Sequence, residues 1–202
     1  MAYKAICFDH GGVLVGQPSS EPNKKASELL GVDQETYNDA YFRYNKQPNR
    51  GEITWHELIK LVVDDLGKPE KYGAFVKLWD ENSKNRSVNK AVLDLVDRLR
   101  AQGYKVAILS NNTADVLGEI QSQGLDNHFD VVHISALTGF VKPEPEAFTH
   151  LAEALQVAVD ELVFIDDSPK SLSTADQCGY TPILFHDYAQ LVQKLAKLGI
   201  KA

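Results

Sequence analysis

Four expected strand ends in this sequence carry reactive polar side chains. Asp9 follows AICF (residues 5 to 8), Ser110 and Asn111 follow YKVAIL (104 to 109), and Asp166 and Asp167 follow LVFI (162 to 165). Lys142, in GFVKPEP, is read as the fourth strand-end residue. Short unbroken apolar runs mark strands buried on both faces, and open parallel sheets bind ligands outside the carboxyl ends of their strands. Side by side, these residues would bring three carboxylates, a hydroxyl and an ammonium into one crevice. Clustered carboxylates repel unless a cation sits among them, and oxygen-only ligands on loops suit Mg²⁺, which commonly also holds a substrate phosphate. Ser110 and the N–H groups after it lead into a helix expected from about Thr113, an anion site with the positive helix end facing the crevice. Lys142 would add a point charge for oxygens in transfer. The chemistry available to such a set is phosphoryl transfer.

The elements that must position these residues follow from periodicity. From residue 88 onward, amphipathic helices alternate with short β-rich runs, the grammar of an α/β sheet. Val88, Val92, Leu95, Val96 and Leu99 share one helical face, and Gly103 stops that helix before YKVAIL. Further helices close at Gly124, before Val131 to Ile134, and at Gly179, before Ile183 to Phe185, the latter starting near Pro169. Phe148, Leu151, Ala152 and Leu155 mark a helix ahead of LVFI, and Asp187 with Gln190 offers a capping box for a last one.

Residues 16 to 85 break the pattern: they hold three or four helical segments and no β-rich run. Trp55, Ile59, Val62, Val63 and Leu66 form one apolar stripe, and Tyr41, Phe42 and Tyr44 an aromatic cluster, both read as the core of a helical insert. Because the insert begins just after FDHGGVL (8 to 14), it should hang over the carboxyl end of the first strand as a lid. Tyr44, Arg50 and Trp55 are the insert residues offered as crevice contacts.

Composition narrows the partners. The chain has 202 residues, 44 % of them hydrophobic, and a net charge of −7, which disfavours nucleic acid and anionic membrane surfaces because both need a concentrated basic patch. A small phosphorylated metabolite is the expected partner. The two cysteines, Cys7 and Cys178, sit in no metal-binding spacing and read as core residues of a reducing compartment. With no run of membrane-spanning length and too short an apolar stretch near residue 1 for a signal peptide, the expectation is a cytoplasmic protein.

FDHGGVL, LSNN (109 to 112), GFVKPEPEAF (139 to 148) and FIDDSPKSLSTADQCGY (164 to 180) are similar, in order, to the four motifs of the haloacid dehalogenase (HAD) superfamily, phosphatase branch. RGEITWHEL (50 to 58) resembles the cap of the branch that holds sugar-phosphatases and the phosphatase half of soluble epoxide hydrolases. The resemblance implies an α/β, Rossmann-like parallel sheet with helices on both faces. It assigns residues 1–15 and 86–202 to the core and 16–85 to an α-helical cap. It also implies roles: Asp9 as the nucleophile that becomes an acyl phosphate, Ser110 and Asn111 as ligands of the phosphoryl oxygens, and Lys142 steadying both. Mg²⁺ would be held by Asp9, the carbonyl of Gly11 and Asp166, with Asp167 as a ligand directly or through water.

The sequence departs from the family pattern at Gly11, where most of these phosphatases carry a second Asp. The metal-binding carbonyl survives the change, but the acid that protonates the leaving group and later activates water is lost, a contribution of about 10²- to 10⁴-fold. His10 is the adjacent substitute, unless strand alternation turns it to the opposite face. Ser171 stands where the branch often has Asn. The rival readings are a weakly active phosphate-binding or regulatory protein, supported by Gly11, and a 2-haloacid dehalogenase, opposed by the Asp166–Asp167 pair. A response-regulator receiver is excluded because its acidic pair precedes the phosphorylated Asp.

Overall fold

Strand β1 (Ala5–Phe8) is buried at every residue, as its unbroken apolar run requires of a central parallel strand. A computed structural model of the chain describes residues 3–16, 20–84 and 86–201. After β1 come the helices α1 (Ser20–Leu30), α2 (Gln34–Tyr44), α3 (Lys46–Asn49), α4 (Trp55–Asp65) and α5 (Tyr72–Lys84), with one 3₁₀ turn at Pro69–Lys71. Five helices thus stand where three or four were expected, the extra one being the single turn α3 that carries the chain past Pro48. Thr54 starts α4 with a full capping box: its hydroxyl accepts from the Glu57 N–H, and the Glu57 carboxylate accepts from the Thr54 N–H.

These helices share an apolar core of their own. Trp55, Ile59, Val62 and Val63 are buried as the stripe predicts, alongside Leu30, Tyr37, Leu58 and Phe75, with Leu66 packed at the edge. Trp55 stacks on Trp79 at 5.2 Å between ring centroids. The aromatic reading of α2 needs correction: Phe42 is 47 % exposed, while Tyr41 and Tyr44 are half-buried and Tyr37 takes the interior place. Tyr37 lies one turn before Tyr41 on the same face and stacks on it at 5.8 Å, whereas Phe42 is rotated about 100° away.

The chain returns beside the point where it left. Val15 pairs antiparallel with Val88, the Gly16 N–H donates to the Ser87 carbonyl (3.0 Å), and the Asn89 N–H donates to the Leu14 carbonyl (2.8 Å). Val88 therefore lies in this two-stranded neck and not on the helical face predicted for it. The helix itself, α6 (Lys90–Ala101), begins after Asn89, whose side chain caps Val92.

Four more strands complete a five-stranded, all-parallel sheet of order β3-β2-β1-β4-β5: β2 (Lys105–Ser110), β3 (Val131–Ile134), β4 (Leu162–Asp166) and β5 (Thr181–Leu184). Between them run α7 (Val116–Ser122), α8 (Ser135–Thr138), α9 (Pro145–Leu155) and α10 (Ala175–Cys178), and α11 (Tyr188–Lys197) ends the fold. Ile6, Phe8, Val106, Ile108, Val163 and Ile165 pack one face of the sheet against α6, α7 and α11. Ala5, Cys7, Ala107, Leu109, Leu162 and Phe164 pack the other against α9 and α10. Helices on both faces of a parallel sheet are the predicted α/β architecture.

Two helix boundaries and one cap differ from the sequence reading. α7 has seven residues and starts at Val116, after an irregular stretch that follows Ser110, so no long helix dipole points from Thr113 at the crevice. Pro169–Thr174 forms successive turns, leaving α10 only four residues. At α11 the Asp187 carboxylate accepts from the Gln190 N–H, but the Gln190 side chain donates to the Leu184 carbonyl and does not close the box. Among the described residues no helix is long and apolar enough to cross a membrane.

The different burial of the two α2 aromatics sets an expectation for stability. Tyr37→Ala should cost about 3–5 kcal/mol through the cavity it opens, and Phe42→Ala about 1 kcal/mol or less. Urea unfolding followed by the fluorescence of Trp55 and Trp79 measures both.

Candidate active site

Sheet register decides which side chains can meet. β1 lies between β2 and β4, with Phe8 level with Ile108 on one side and Ile165 on the other. Asp9, one residue past β1, therefore sits between the ends of β2 and β4, at the point where the strand order reverses. Ser110 ends β2 and is buried, and Asp166 ends β4 and is fully buried. Asp9 continues the alternation of Ala5 and Cys7, and Asp166 that of Leu162 and Phe164, so both carboxylates belong to the face covered by α9.

Lys142 arrives on that face. It is not at a strand end: β3 stops at Ile134, and Lys142 lies beyond α8 in the loop entering α9, where Pro145 occupies the first turn. Its ammonium donates to Asp9 Oδ1 at 2.9 Å and to Asp166 Oδ2 at 2.6 Å, and lies 5.0 Å from the centroid of the Phe164 ring. Its side chain is 2 % exposed. The backbone of Lys142 is held by Asn111, whose amide accepts from the Lys142 N–H (2.8 Å) and donates to the Lys142 carbonyl (2.7 Å). The Thr174 hydroxyl donates to the Pro143 carbonyl (2.6 Å), tying the same loop to the turns after β4. Neither clamp was legible in sequence, because Asn111 and Thr174 each lie 31 residues from the backbone group they bind.

Asp9, Asp166 and Asp167 bring one carboxylate oxygen each to within 4.8 Å of the others. Gly12 makes room for the third: its φ is +76°, and a Cβ there would stand 2.7 Å from Asp167 Cγ. The turn is thus only half the reason for glycine at 12, and the close approach of a carboxylate is the other half. This donor set, three hard oxygens at strand ends, fits a divalent cation, and Asp167 could not hold its present position with a Cβ at residue 12.

Gly11 behaves differently. Its φ lies outside the left-handed region and a Cβ there would meet nothing within 4 Å, so neither the backbone nor its near surroundings require glycine. His10 does not fill in for it. The imidazole is fully buried, neither ring nitrogen has a hydrogen-bond partner among the described residues, and burial, aided by the charges of Arg86 and Lys142, pushes its pKa down to about 4. A neutral, enclosed ring does not deliver a proton to a leaving group in the crevice.

Burial pushes the Asp9 carboxyl up to about 7; Lys142 opposes this, and the charges of Asp166 and Asp167 add to it. Burial alone would lower the Lys142 pKa, but Asp9 and Asp166 overcome it and hold the ammonium above its ordinary range.

The helical unit touches this region at three points. Arg50 donates to the Glu144 carboxylate at the start of α9, Gly51 lies against the Ala136 carbonyl, and the Lys170 ammonium sits 5.2 Å from the centroid of the Phe42 ring. Of the residues offered as crevice contacts, Arg50 is engaged by Glu144, Tyr44 packs against the helical core, and Trp55 lies inside it. The expectation for Trp55 as a crevice contact is therefore corrected: an indole on the buried stripe of α4 faces its own unit's core.

The raised Asp9 pKa has a measurable consequence. A carboxyl whose folded-state pKa lies above its ordinary value contributes stability at acid pH that is lost as pH rises through about 7. A cation among the carboxylates reverses that loss, so Mg²⁺ added to EDTA-treated protein should raise Tm more at pH 8 than at pH 5. Gly12→Ala should abolish the Mg²⁺-induced shift and Gly11→Ala should keep it, as read by thermal denaturation.

Comparison with known proteins places this geometry. The model of the haloacid dehalogenase-like hydrolases matches residues 3–179, a span that includes Asp9, Ser110, Lys142, Asp166 and Asp167. Bifunctional epoxide hydrolase 2 of Mus musculus is 26 % identical over 218 residues, covering 98 % of this chain and 39 % of that protein, so the chain spans about two fifths of that relative's length. Sesquiterpene phosphatase astK of Aspergillus oryzae is 22 % identical, with 97 % of this chain and 96 % of that protein covered. A solved HAD family enzyme from Bacteroides thetaiotaomicron, in complex with magnesium and inorganic phosphate, matches with a TM-score of 0.70 at 23 % identity, covering 94 % of this chain and 99 % of that one. With the family match running through every strand-end carboxylate and the lysine between them, this chain belongs to the haloacid dehalogenase-like hydrolases.

Proposed function

We propose that the protein is a Mg²⁺-dependent phosphatase that hydrolyses small phosphomonoesters through an acyl phosphate on Asp9. The observation that carries this reading is the buried Lys142 ammonium bonded to both Asp9 and Asp166, with Asp167 completing the carboxylate cluster. The phosphatase among the relatives and the magnesium and phosphate bound by the Bacteroides enzyme support it.

In this reading an oxygen of Asp9 attacks phosphorus while the bond to the ester oxygen breaks, and the leaving group departs as an anion that takes its proton from solvent. Water then attacks phosphorus and gives up a proton to solvent as the bond from phosphorus to Asp9 breaks, which returns the carboxylate and releases phosphate. Asp9, Asp166, Asp167 and the carbonyl of Gly11 would hold Mg²⁺, whose charge offsets the repulsion between phosphate and carboxylates. Lys142, held against Asp9, steadies the nucleophile and the charge on the transferred oxygens, and Ser110 at the end of β2 binds the phosphoryl group. Residues 1–15 and 86–202 act as the catalytic core and 16–85 as a cap, a role supported by the separate apolar core of the helices and by the Val15–Val88 neck.

The chain brings no side-chain acid at residue 11, so leaving groups that depart as stable anions are favoured. An activated aryl phosphate should therefore be hydrolysed in the presence of Mg²⁺, and Asp9→Asn should abolish the turnover. Equal rates for the two proteins would overturn the phosphatase reading in favour of a phosphate-binding one. Gly11→Asp, which the open space at residue 11 accommodates, should accelerate alkyl esters by about 10²-fold or more and aryl esters far less. A uniform effect on both would contradict the account of the missing acid.

A further inference from the structure

The structure assigns Asn111 a task other than holding phosphate: we infer that it is a positioning residue that fixes Lys142 through the lysine backbone. This deepens the phosphatase reading and rests on it for what Lys142 does in the reaction. The Asn111 amide is used twice on one residue, its oxygen accepting from the Lys142 N–H and its nitrogen donating to the Lys142 carbonyl. Paired this way, the amide imitates a neighbouring strand, and the two bonds of opposite polarity fix both its flip state and the rotation of the lysine backbone. The loop needs such a partner. Lys142 belongs to no helix or strand, so neither of its backbone groups is satisfied by regular structure.

The far end of the residue shows why position matters. The ammonium reaches two carboxylates that belong to different strands, at 2.9 Å and 2.6 Å. A long lysine side chain carries large rotational freedom, and a shift of its Cα moves the ammonium off one carboxylate or the other. Asn111 sits directly after β2, the strand adjacent to β1, and so transmits the position of the central sheet to the loop. Thr174, bonded to the Pro143 carbonyl, restrains the next residue from the opposite side.

Labelling decides this without relying on turnover. Lys142 is buried, and an amine-reactive ester followed by peptide mass spectrometry should label it slowly in the wild-type protein. Asn111→Ala and the near-isosteric Asn111→Asp, which puts an acceptor against the Lys142 carbonyl, should each raise Lys142 labelling by about 10-fold or more through local opening. Ser110→Ala should leave it unchanged. Cys7, fully buried in β1, serves as the internal control and should stay unlabelled by a thiol reagent. In the Mg²⁺-loaded enzyme, both Asn111 variants should lower kcat on the aryl phosphate by about 10- to 100-fold. The same variants should change KM by less than about 3-fold, the pattern of an interaction lost chiefly in the transition state.

Unchanged Lys142 labelling with a raised KM would make Asn111 a phosphate ligand and overturn the inference. A parallel rise at Cys7 in both variants would mean that Asn111 holds the fold and not the lysine, and would overturn it as well. Failure of the phosphatase reading appears separately, as equal turnover by wild type and Asp9→Asn.

Discussion

One ammonium between two carboxylates sets the terms for the rest of this molecule. Lys142 and Asp166 are withdrawn from water and Asp9 is partly so, and removing one member of such a buried arrangement costs about 3–5 kcal/mol because a charge is left without its partner. The arrangement therefore constrains everything that carries it. β1 and β4 must be neighbours in a register that levels Asp9 with the end of β4, and the loop into α9 must come down on the face where both carboxylates lie. Asn111 and Thr174 hold that loop, which has no secondary structure of its own to do so.

The same charge balance explains the two glycines of the FDHGGVL turn. Burial pushes Asp9 upward in pKa, the charges of Asp166 and Asp167 add to it against the pull of Lys142, and three carboxylates beside one lysine leave an excess of negative charge that suits a cation. Gly12 allows the third carboxylate to come that close, and any Cβ there would collide with it. Gly11 is under no such constraint, since its backbone and surroundings accept a side chain. Glycine at 12 is thus imposed by geometry, whereas glycine at 11 is a choice of chemistry.

Two side-chain contacts, beside the approach of Gly51 to the Ala136 carbonyl, tie the helical unit to the loops that carry the site. Arg50 pairs with Glu144, two residues past Lys142, and Phe42 rests against Lys170, in the turns after Asp166 and Asp167. Both are partly solvent-exposed, and exposed ion pairs and cation–π contacts are each worth about 1 kcal/mol or less. The paired backbone at Val15 and Val88 brings the two ends of the helical segment together, and the side-chain contacts from its helices to the loops are the weak ones.

The sequence by itself determined the strands and the acids at their ends. A run such as AICF or LVFI has only one stable environment, the middle of a covered sheet, and the residue that follows it must emerge at the sheet's edge. It also determined that the stretch between residues 16 and 85 would supply helical segments and no strand, because it holds apolar stripes at a helical period, such as Trp55, Ile59, Val62, Val63 and Leu66, and no β-rich run. Tertiary structure alone decided which aromatic of α2 is buried, where Lys142 comes from and what Asn111 holds. Tyr37 and Phe42 are both large aromatics, and the more apolar of the two is the exposed one because of the face it occupies once the helices pack. Lys142 reaches Asp9 across 133 residues of chain and Asp166 across 24, and Asn111 reaches Lys142 across 31. Such pairings leave no periodic trace, since a hydrogen bond between distant loops is set by the path of the backbone around the sheet and not by the neighbours of either residue.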